Sequence, residues 1–411
     1  MSSHFSARGQ RLAFALIAVV ELALFYLDAR AIMHVHTPLD GRFQDLAGRV
    51  RNLEDLRHSG NIYQQFSAEA FTYPPGAIIL FWPLQWLSAT ARDLLWTLMS
   101  LCALWGTFVV ALRRVTTWSW PYVGLVSGAS VLITSWCCNP VLCCLQWGQT
   151  ALLLQFLIVV DMLVIRGPRR GILLGIAVAI KLFPALFLVA LLFRREWRAL
   201  RTAVVTFFVV TGIAAVVWPR SSWYFFRHVL LSGQELSHFN TSSNLVNDTG
   251  IAALFNRPPF WGGTEPHLVR YALCVGVALW GLALAQRAWR KGYELTSVVS
   301  LLVVDAVALP NVWIHYYAFV PLIVVVAFEW TPSRHRPVVL ALAATLCLPF
   351  VYWRTIGGSG PVHSVVFQMI CDADAALALG YLLATSYKLF AYRGSPRRRH
   401  ATSFVNQSLH R

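Results

Sequence analysis

The sequence predicts an all-α protein of the polytopic membrane class. Hydrophobic residues make up 57% of the 411 residues and charged residues only 13%, a balance that excludes an ordinary soluble domain. The apolar residues gather in runs of roughly 20, the length that a helix needs to cross a bilayer. Short clusters of arginine and lysine separate many of these runs, and loops of this kind stay on the cytoplasmic side.

The crossings follow from the apolar runs taken in order. Runs predicted to span the membrane lie near residues 11–30, 93–112, 119–136, 149–165, 202–218, 268–287, 295–309, 316–330, 337–352 and 368–390. The run 171–193 is also long enough, but basic clusters stand at both of its ends and Pro184 interrupts it beside Lys181. We predict that it forms two short helices that enter and return from the cytoplasmic side. The expected total is about 12 transmembrane helices, with both termini in the cytoplasm.

Two long loops are predicted on the side opposite the basic clusters. The first covers residues 31–73, and its charged residues alternate with apolar ones at near-helical spacing, which predicts amphipathic interfacial helices. The segment 74–87 is too short to span comfortably, so we predict a short helix or re-entrant piece on the outer side. The second large outer loop covers residues 219–267, and residues 393–411 form a basic cytoplasmic tail. The whole chain, 1–411, is expected to form a single transmembrane domain.

Two features of the composition have simple structural interpretations. Most of the formal net charge of +16 sits in short loops, where it orients helices and meets the anionic headgroups of membrane lipids, so nucleic-acid binding is not expected. The pairs Cys137-Cys138 and Cys143-Cys144 could ligate zinc, but no histidine neighbours them. Their apolar surroundings favour a role as small packing residues, and no metal is expected.

Polar residues at the outer mouths of the apolar runs are the candidates for function. They are Asp45, Tyr73, Gln149, Asn244, Trp313 and His315, together with Lys181 inside an apolar run. A charge within such a run costs roughly 2.5–3.5 kcal/mol, so Lys181 is expected to face a cavity or a ligand such as a lipid phosphate. Two alternatives stay open: Lys181 could snorkel to the interface, and His315 could be a packing histidine.

Six short motifs occur in order between Gln44 and Glu329. They are Asp45-Leu46 followed by Tyr63, Phe71-Thr72-Tyr73-Pro74-Pro75, Trp147-Gly148-Gln149, Ala179-Ile180-Lys181-Leu182-Phe183-Pro184, Thr241-Ser242-Ser243-Asn244 and Pro310-Asn311-Val312-Trp313-Ile314-His315. In content, order and spacing they resemble glycosyltransferase family 87 of the GT-C superfamily, the polyprenyl-phosphate-dependent mannosyl- and arabinofuranosyltransferases. The chain departs from the family pattern in three places, at Ala47-Gly48-Arg49, at Leu245-Val246 and at Tyr316, which replaces a second histidine.

The resemblance implies an inverting transfer of a sugar, mannose or arabinofuranose, from a polyprenyl-phosphate donor to a hydroxyl of a lipid or glycan acceptor. The reaction would take place on the outer face of the cytoplasmic membrane. Asp45 is the proposed general base, with Asp40 as the runner-up, because the attacking hydroxyl must lose its proton. Lys181 and His315 would stabilise the leaving phosphate. The proposed substrate-binding residues are Tyr73, Gln149, Asn244 and Trp313. The donor carries no nucleotide, so no cofactor is expected.

Two other functions are compatible with a polytopic chain that carries buried polar residues. A lipid-linked-sugar flippase or transporter commonly shows inverted repeats and interrupted helices near the bilayer midplane. An O-antigen-ligase-like glycan transferase would be expected to use outer-loop arginines and a histidine. The early acidic residue Asp45 and the gathering of polar residues at one mouth favour the glycosyltransferase over both.

Overall fold

The structure, a computed structural model, describes residues 7–34, 43–63, 71–230, 267–308, 312–331 and 377–391. Within these ranges the chain is helical and contains no β-strand, so the predicted all-α class is confirmed. The helix predicted at 337–352 and the first part of the one predicted at 368–390 lie outside the described residues.

The helices are numbered here in chain order. They are α1 (Ala7–His34), α2 (Gln44–Ser59), α3 (Gly76–Phe81), α4 (Ala89–Val115), α5 (Trp120–Cys137), α6 (Asn139–Trp147), α7 (Ala151–Leu163), α8 (Ile172–Ile180), α9 (Ala185–Phe193), α10 (Trp197–Val217), α11 (Pro219–Tyr224), α12 (His267–Arg290), α13 (Glu294–Val307) and α14 (Val320–Trp330). Short 3-10 turns lie at Trp82–Trp86, Gly167–Arg169 and Ile314–Tyr317, and π-helical turns lie at Phe225–Leu230 and Tyr387–Ala391.

Among the described residues, α1, α4, α10 and α12 are each long and apolar enough to cross a membrane. A further candidate span consists of α5 and α6, which are bent by 82° where they meet at Cys138. Repeated spans of this length define a multi-pass membrane protein.

Several of the predicted spans are shorter in the structure than a bilayer requires. α7 has 13 residues, α13 has 14 and α14 has 11, whereas about 20 are needed to cross a bilayer alone. α13 is buried from Leu295 to Val307, which is typical of a helix surrounded by other helices. The expected total of about 12 crossings is therefore not confirmed, because an apolar run can serve the interior of a helix bundle as well as the bilayer.

The interruption predicted in the run 171–193 is confirmed. α8 ends at Ile180, α9 begins at Ala185, and Lys181 between them has an extended backbone with φ −150° and ψ 130°. Pro184 directly precedes α9, where its missing N–H is harmless, whereas inside a continuous helix it would remove a hydrogen bond. The return of both helices to the cytoplasmic side stays a prediction.

The first predicted outer loop contains α2, a helix of 16 residues with one apolar face. Leu46 and Leu53 on this face are buried, whereas Arg51 on the opposite face is exposed. α1 extends to His34, so the loop begins slightly later than predicted. The short helix predicted within 74–87 is confirmed as α3, which continues into a 3-10 turn.

Close packing between α3 and α8 brings two parts of the site together. A Cβ on Gly76 in α3 would lie 2.6 Å from the carbonyl oxygen of Ala179 in α8, so glycine is required for this approach. Tyr73 precedes α3 and Lys181 follows α8. The contact therefore places these two side chains next to each other, with the ammonium of Lys181 5.2 Å from the centre of the Tyr73 ring.

Four of the basic clusters meet at one end of the molecule. Arg114 and Arg166 both pair with Glu294, at 3.0 Å and 3.5 Å. Arg170 and Arg194 both lie over the ring of Trp289. The segments that follow α4, α7, α9 and α12 thus form a common basic end. α9 lies between this end and the break at Lys181, and its nine residues correspond to a distance of about 13 Å.

Candidate active site

The site begins at the N-terminus of α2, which is fixed against the turn between α6 and α7. The backbone N–H of Phe43 donates to the carbonyl of Gln146 at 2.6 Å. Gly148 has a left-handed φ of +68°, and a Cβ at this position would lie 2.5 Å from the Cβ of Leu46. Glycine alone tolerates both the backbone conformation and the close approach. Asp45, in the first turn of α2, consequently lies beside Gln149.

Gln149 is the centre of a hydrogen-bond network around Asp45. Its Nε2 donates to Oδ2 of Asp45. Its Oε1 accepts from Nη2 of Arg49 at 3.0 Å and from the hydroxyl of Tyr73 at 3.2 Å. Its backbone carbonyl accepts from the indole N–H of Trp96 at 3.3 Å. Because both ends of the amide are engaged, the orientation of the Gln149 side chain is fixed.

Arg49 is a site residue that the sequence analysis did not select. Its Nη2 lies 3.6 Å from Oδ2 of Asp45, and its Nη1 donates to the carbonyl of Gly148 at 2.9 Å. The Arg49 side chain is 9% exposed and that of Asp45 40%, so the arginine lies behind a carboxylate that a ligand can reach. The available signal was the spacing of four residues on α2, which places opposite charges on one helix face.

Lys181 lies in an aromatic enclosure. Its ammonium is 4.2 Å from the ring centre of Tyr316, 5.2 Å from that of Tyr73 and 5.5 Å from that of Phe183. These rings attract the cation through their electron-rich faces. Among the residues that the structure describes, no carboxylate pairs with Lys181. The site therefore contains a cation that a negatively charged ligand can approach.

His315 also packs against Tyr316. Its ring stacks on that of Tyr316 at 4.8 Å and meets the edge of Trp147 at 6.2 Å. Its backbone carbonyl accepts from the thiol of Cys144 at 3.4 Å, which ties the 3-10 turn to α6. The side chain is buried, and its Nδ1 has no hydrogen-bond partner within the described ranges. This buried nitrogen therefore keeps its hydrogen-bonding capacity open.

Five of the predicted site residues are brought together by this arrangement: Asp45, Tyr73, Gln149, Lys181 and His315. Trp313 contributes differently, because its carbonyl accepts from the N–H of Tyr316 at 2.9 Å and begins the 3-10 turn. No ring contact joins its indole to another described site residue. Asp40 and Asn244 lie outside the described residues.

The predicted role of the cysteine pairs agrees with their surroundings. Cys138, Cys143 and Cys144 are buried around α6. Cys143 packs with Ile314 and Trp147, and Cys144 belongs to the main apolar core. These residues therefore fill space between α6 and the 3-10 turn that carries His315.

The arrangement combines a carboxylate, a cation and aromatic walls. Oδ2 of Asp45 is held by Arg49 and Gln149, while no described residue donates to Oδ1. A hydroxyl placed at Oδ1 can give up its proton there. Lys181 can stabilise negative charge that develops on a leaving group. The fold and the site together are those of a multi-pass membrane protein with a buried polar site that combines an acid–base group and a cation.

Comparison with known proteins identifies the family. The family model of glycosyltransferase family 87 matches residues 71–310, more than half of the chain. The protein belongs to this family and is a membrane glycosyltransferase.

Its relatives include several mycobacterial enzymes. The chain is 30% identical over 309 residues to the polyprenol-phosphate-mannose-dependent alpha-(1-2)-phosphatidylinositol mannoside mannosyltransferase of Mycobacterium tuberculosis, covering 70% of this chain and 68% of the relative. It is 27% identical over 336 residues to the corresponding phosphatidylinositol pentamannoside mannosyltransferase of the same species, covering 78% and 74%. The enzyme with that name from Mycolicibacterium smegmatis is 27% identical over 325 residues, covering 76% and 75%.

The family match covers only part of the site. Tyr73, Gln149 and Lys181 lie inside the matched residues 71–310, whereas Asp45 and His315 lie outside them. The contacts described above join the two groups in space. Family membership favours the transferase over the transporter and ligase alternatives, and the geometry adds the residues that the family match does not reach.

Proposed function

We propose that the protein transfers mannose from a polyprenyl-phosphate donor to a hydroxyl of a lipid or glycan acceptor, with inversion at the anomeric carbon. By their names, the three relatives described above depend on polyprenol-phosphate-mannose and are mannosyltransferases for phosphatidylinositol mannosides. Mannose is therefore the first sugar to test and arabinofuranose the second. A mannosylated phosphatidylinositol is the first acceptor to test.

The strongest support for the proposal is that Asp45, a base, and Lys181, a cation, are both placed next to Tyr73. The hydroxyl of Tyr73 donates to Gln149, which holds Asp45, while the ring of Tyr73 faces the ammonium of Lys181. An acceptor hydroxyl and a donor phosphate need these two groups on opposite sides of the bond that breaks. One sugar bound against Tyr73 satisfies both requirements.

The proposed step has a complete balance of bonds and charge. The acceptor hydroxyl gives its proton to Oδ1 of Asp45 while its oxygen forms a bond to the anomeric carbon. The bond between that carbon and the phosphate oxygen breaks, and its electron pair leaves with the polyprenyl phosphate. Asp45 ends the step protonated. Arg49 and Gln149 keep the carboxylate oriented throughout, because they hold Oδ2.

The leaving phosphate gains negative charge, and Lys181 stabilises it. The ammonium already lies in place between Tyr73 and Tyr316, so little reorganisation is required during the reaction. The buried Nδ1 of His315 is available for a hydrogen bond to a phosphate oxygen. Both interactions act in a region of low dielectric, where they are stronger than in water.

We place the reaction on the outer face of the cytoplasmic membrane, with both termini in the cytoplasm. The basic end formed around Glu294 supports this orientation, since short arginine-rich loops are retained on the cytoplasmic side. Lys181 lies about one α9 length away from that end. This distance is less than half of a hydrocarbon core of about 30 Å, so Lys181 lies near the middle of the bilayer, and we propose that the site opens from there towards the outer leaflet.

The test uses the purified full-length protein in lipid nanodiscs. Mannosyl- and arabinosyl-phosphoryl polyprenol are supplied in parallel with a phosphatidylinositol mannoside, and mass spectrometry follows the loss of donor and the gain of one sugar on the acceptor. We expect consumption of the mannosyl donor and an acceptor that is heavier by one hexose. GDP-mannose is the control donor and should not react. A protein that leaves both lipid-linked sugars intact, or that uses GDP-mannose directly, contradicts the proposal.

A further inference from the structure

A cavity with both polar and apolar walls lies at the basic end, away from the active site. It has a volume of about 700 Å3 and is formed by the turn between α9 and α10 and by the last turns of α12. Arg194, Arg195 and Arg290 line it together with Trp197, Trp289 and Phe193, and no acidic residue contributes to its wall. The proposed transfer reaction makes no use of this cavity.

Arg194 carries unfilled hydrogen-bonding capacity within the cavity wall. Its Nη2 donates to Ser297 at 2.7 Å and its guanidinium lies 4.0 Å from the ring centre of Trp289. Its Nε and Nη1 are buried and have no partner among the described residues. Burial lowers the pKa of Arg194 to about 10, although the nearby carboxylates of Glu196 and Glu294 oppose this effect, so the side chain stays charged at neutral pH. A buried charge with open donors is expected to meet an acidic ligand.

Arg195 occupies a position at which helices usually have glycine. The N–H of Glu196 bonds to the carbonyl of Leu191 and that of Arg195 to the carbonyl of Leu192, the hydrogen-bond pattern of a Schellman motif at the end of α9. Arg195 has a left-handed φ of +57°, which is unfavourable for any residue with a Cβ. Backbone strain of this kind concentrates at functional positions.

The cavity is flanked by apolar side chains that face outward. Phe193 is 57% exposed and Trp197 59%, and both stand beside the arginines. α10 continues from Trp197 as a candidate span of which only 17% is buried, so its surface faces lipid. A ligand of this site therefore meets cations at the headgroup level and an apolar surface next to them. Tryptophan at such a boundary is typical of a membrane interface.

We propose that this cavity binds the phosphate headgroup of an anionic phospholipid of the cytoplasmic leaflet, with the acyl chains against Phe193, Trp197 and α10. Charge complementarity selects an anionic lipid, because three arginines and no carboxylate form the wall. The exposed apolar flank selects a lipid over a soluble anion, since a free phosphate leaves that flank in water.

The test measures lipid retention by the purified full-length protein with native mass spectrometry. Phosphatidylglycerol and phosphatidylcholine are supplied in equal amounts, and the number of bound molecules of each is counted. The wild-type protein is expected to retain phosphatidylglycerol preferentially. The double variant Arg195→Gln/Arg290→Gln should weaken this retention by about fivefold for each arginine removed. The matched control Arg198→Gln/Arg201→Gln changes two exposed arginines of α10 that do not line the cavity.

The proposal is overturned if the double variant retains as much phosphatidylglycerol as the wild type. It is also overturned if the control variant loses as much phosphatidylglycerol as the double variant. Displacement of the lipid by inorganic phosphate at a similar concentration would identify a soluble-anion site and overturn it as well. Arg195→Gly separates binding from folding, because glycine relieves the left-handed backbone while it removes the charge. We expect a higher unfolding temperature together with about fivefold weaker retention of phosphatidylglycerol. Unchanged retention in this variant would refute a role for the cavity in lipid binding.

Discussion

At the scale of single residues, the chemistry depends on how one local partner, Arg49, and one distant partner, Gln149, hold the carboxylate of Asp45. Asp45 and Gln149 are 104 residues apart in sequence, yet Gln149 donates directly to Asp45. The sequence patterns selected both residues but could not show that they touch, because no local periodicity encodes a contact at this separation. The sequence analysis did not select Arg49 for a related reason. In sequence, Arg49 and Asp45 form an i,i+4 pair of opposite charges like those found on many exposed helix surfaces. Its burial, which distinguishes it, is visible only in three dimensions.

Asp45→Asn tests the general base. The change keeps size and hydrogen bonding but removes proton affinity, so turnover should fall by about 100- to 10,000-fold while the fold is retained. Turnover is measured by sugar transfer, and retention of the fold by the unfolding temperature. Asp55→Asn on the same helix is the control and should stay active. If Asp40→Asn is inactive while Asp45→Asn is active, Asp40 is the base.

Arg49→Lys tests the orientation of the base. Lysine keeps the charge but cannot bind the carbonyl of Gly148, the amide of Gln149 and Asp45 together in one planar arrangement. We expect kcat to fall by up to about 100-fold, with a smaller change in KM, because the carboxylate is displaced. Arg57→Lys, two turns further along α2, is the control. A change confined to KM would indicate that Arg49 binds substrate instead.

Lys181→Met and Lys181→Arg test the phosphate-binding role. Methionine removes a cation that is costly in the bilayer, so expression should be preserved, while donor affinity falls and turnover decreases by about 100-fold or more. Arginine should retain part of the activity because it keeps the charge in a wider, planar group. Donor affinity and turnover are measured for both variants. Normal turnover in Lys181→Met would show that Lys181 does not stabilise the donor phosphate.

At the scale of helices, proline and glycine decided which boundaries could be predicted. The break before α9 was predicted because Pro184 interrupts an apolar run next to a lysine. α6 was not predicted, although Pro140 in its first turn and Gly148 after its last residue are typical helix boundaries. α6 has only nine residues, fewer than the runs of roughly 20 from which the spans were predicted. The turn that presents Gln149 therefore became visible only in the structure.

Gly148→Ala tests the contact between this turn and α2. The substitution imposes a left-handed backbone on alanine, at about 1–2 kcal/mol, and adds a methyl group 2.5 Å from Leu46. We expect a lower unfolding temperature and a loss of transfer activity as Gln149 moves away from Asp45. Gly167→Ala is a matched control, since Gly167 also has a positive φ, of +70°, but nothing lies within 4 Å of the added Cβ. Equal effects of both substitutions on activity would show that the approach to Leu46 is unimportant.

At the scale of the whole molecule, the class and the gathering of charge could be predicted, but the number of spans could not. Hydropathy shows that a run of residues is apolar, but it does not show whether the run is surrounded by lipid or by other helices of the protein. α10 and α13 illustrate this: both were predicted as spans, yet α10 is largely exposed and α13 is buried throughout. Their environments differ because α13 is enclosed by α12 and α14, which sequence separation alone cannot show.

Cysteine labelling from outside the cell tests the orientation. A membrane-impermeant reagent should reach a cysteine introduced at position 45 and should not reach cysteines at positions 168, 197 or 292, because the basic clusters hold these in the cytoplasm. The unsubstituted protein provides the background, since Cys102 is exposed. Labelling of position 197 from outside would contradict the cytoplasmic return of α8 and α9.

The aromatic enclosure of Lys181 also has a consequence for biosynthesis. Two of its rings, Tyr73 and Phe183, are made before or together with the lysine, whereas Tyr316 and the neighbouring His315 follow about 270 residues after Asp45. At synthesis rates of about 5–20 residues per second, the base therefore exists for roughly 15–50 s before the opposite wall is translated. Lys181 is translated about 135 residues before Tyr316, so for roughly 7–27 s of that interval the growing chain carries both the carboxylate and the lysine without Tyr316 and His315. With the roles proposed here for Tyr316 and His315, we expect the enzyme to acquire activity only after this part of the chain has been translated, and a nascent chain that ends before it to be inactive.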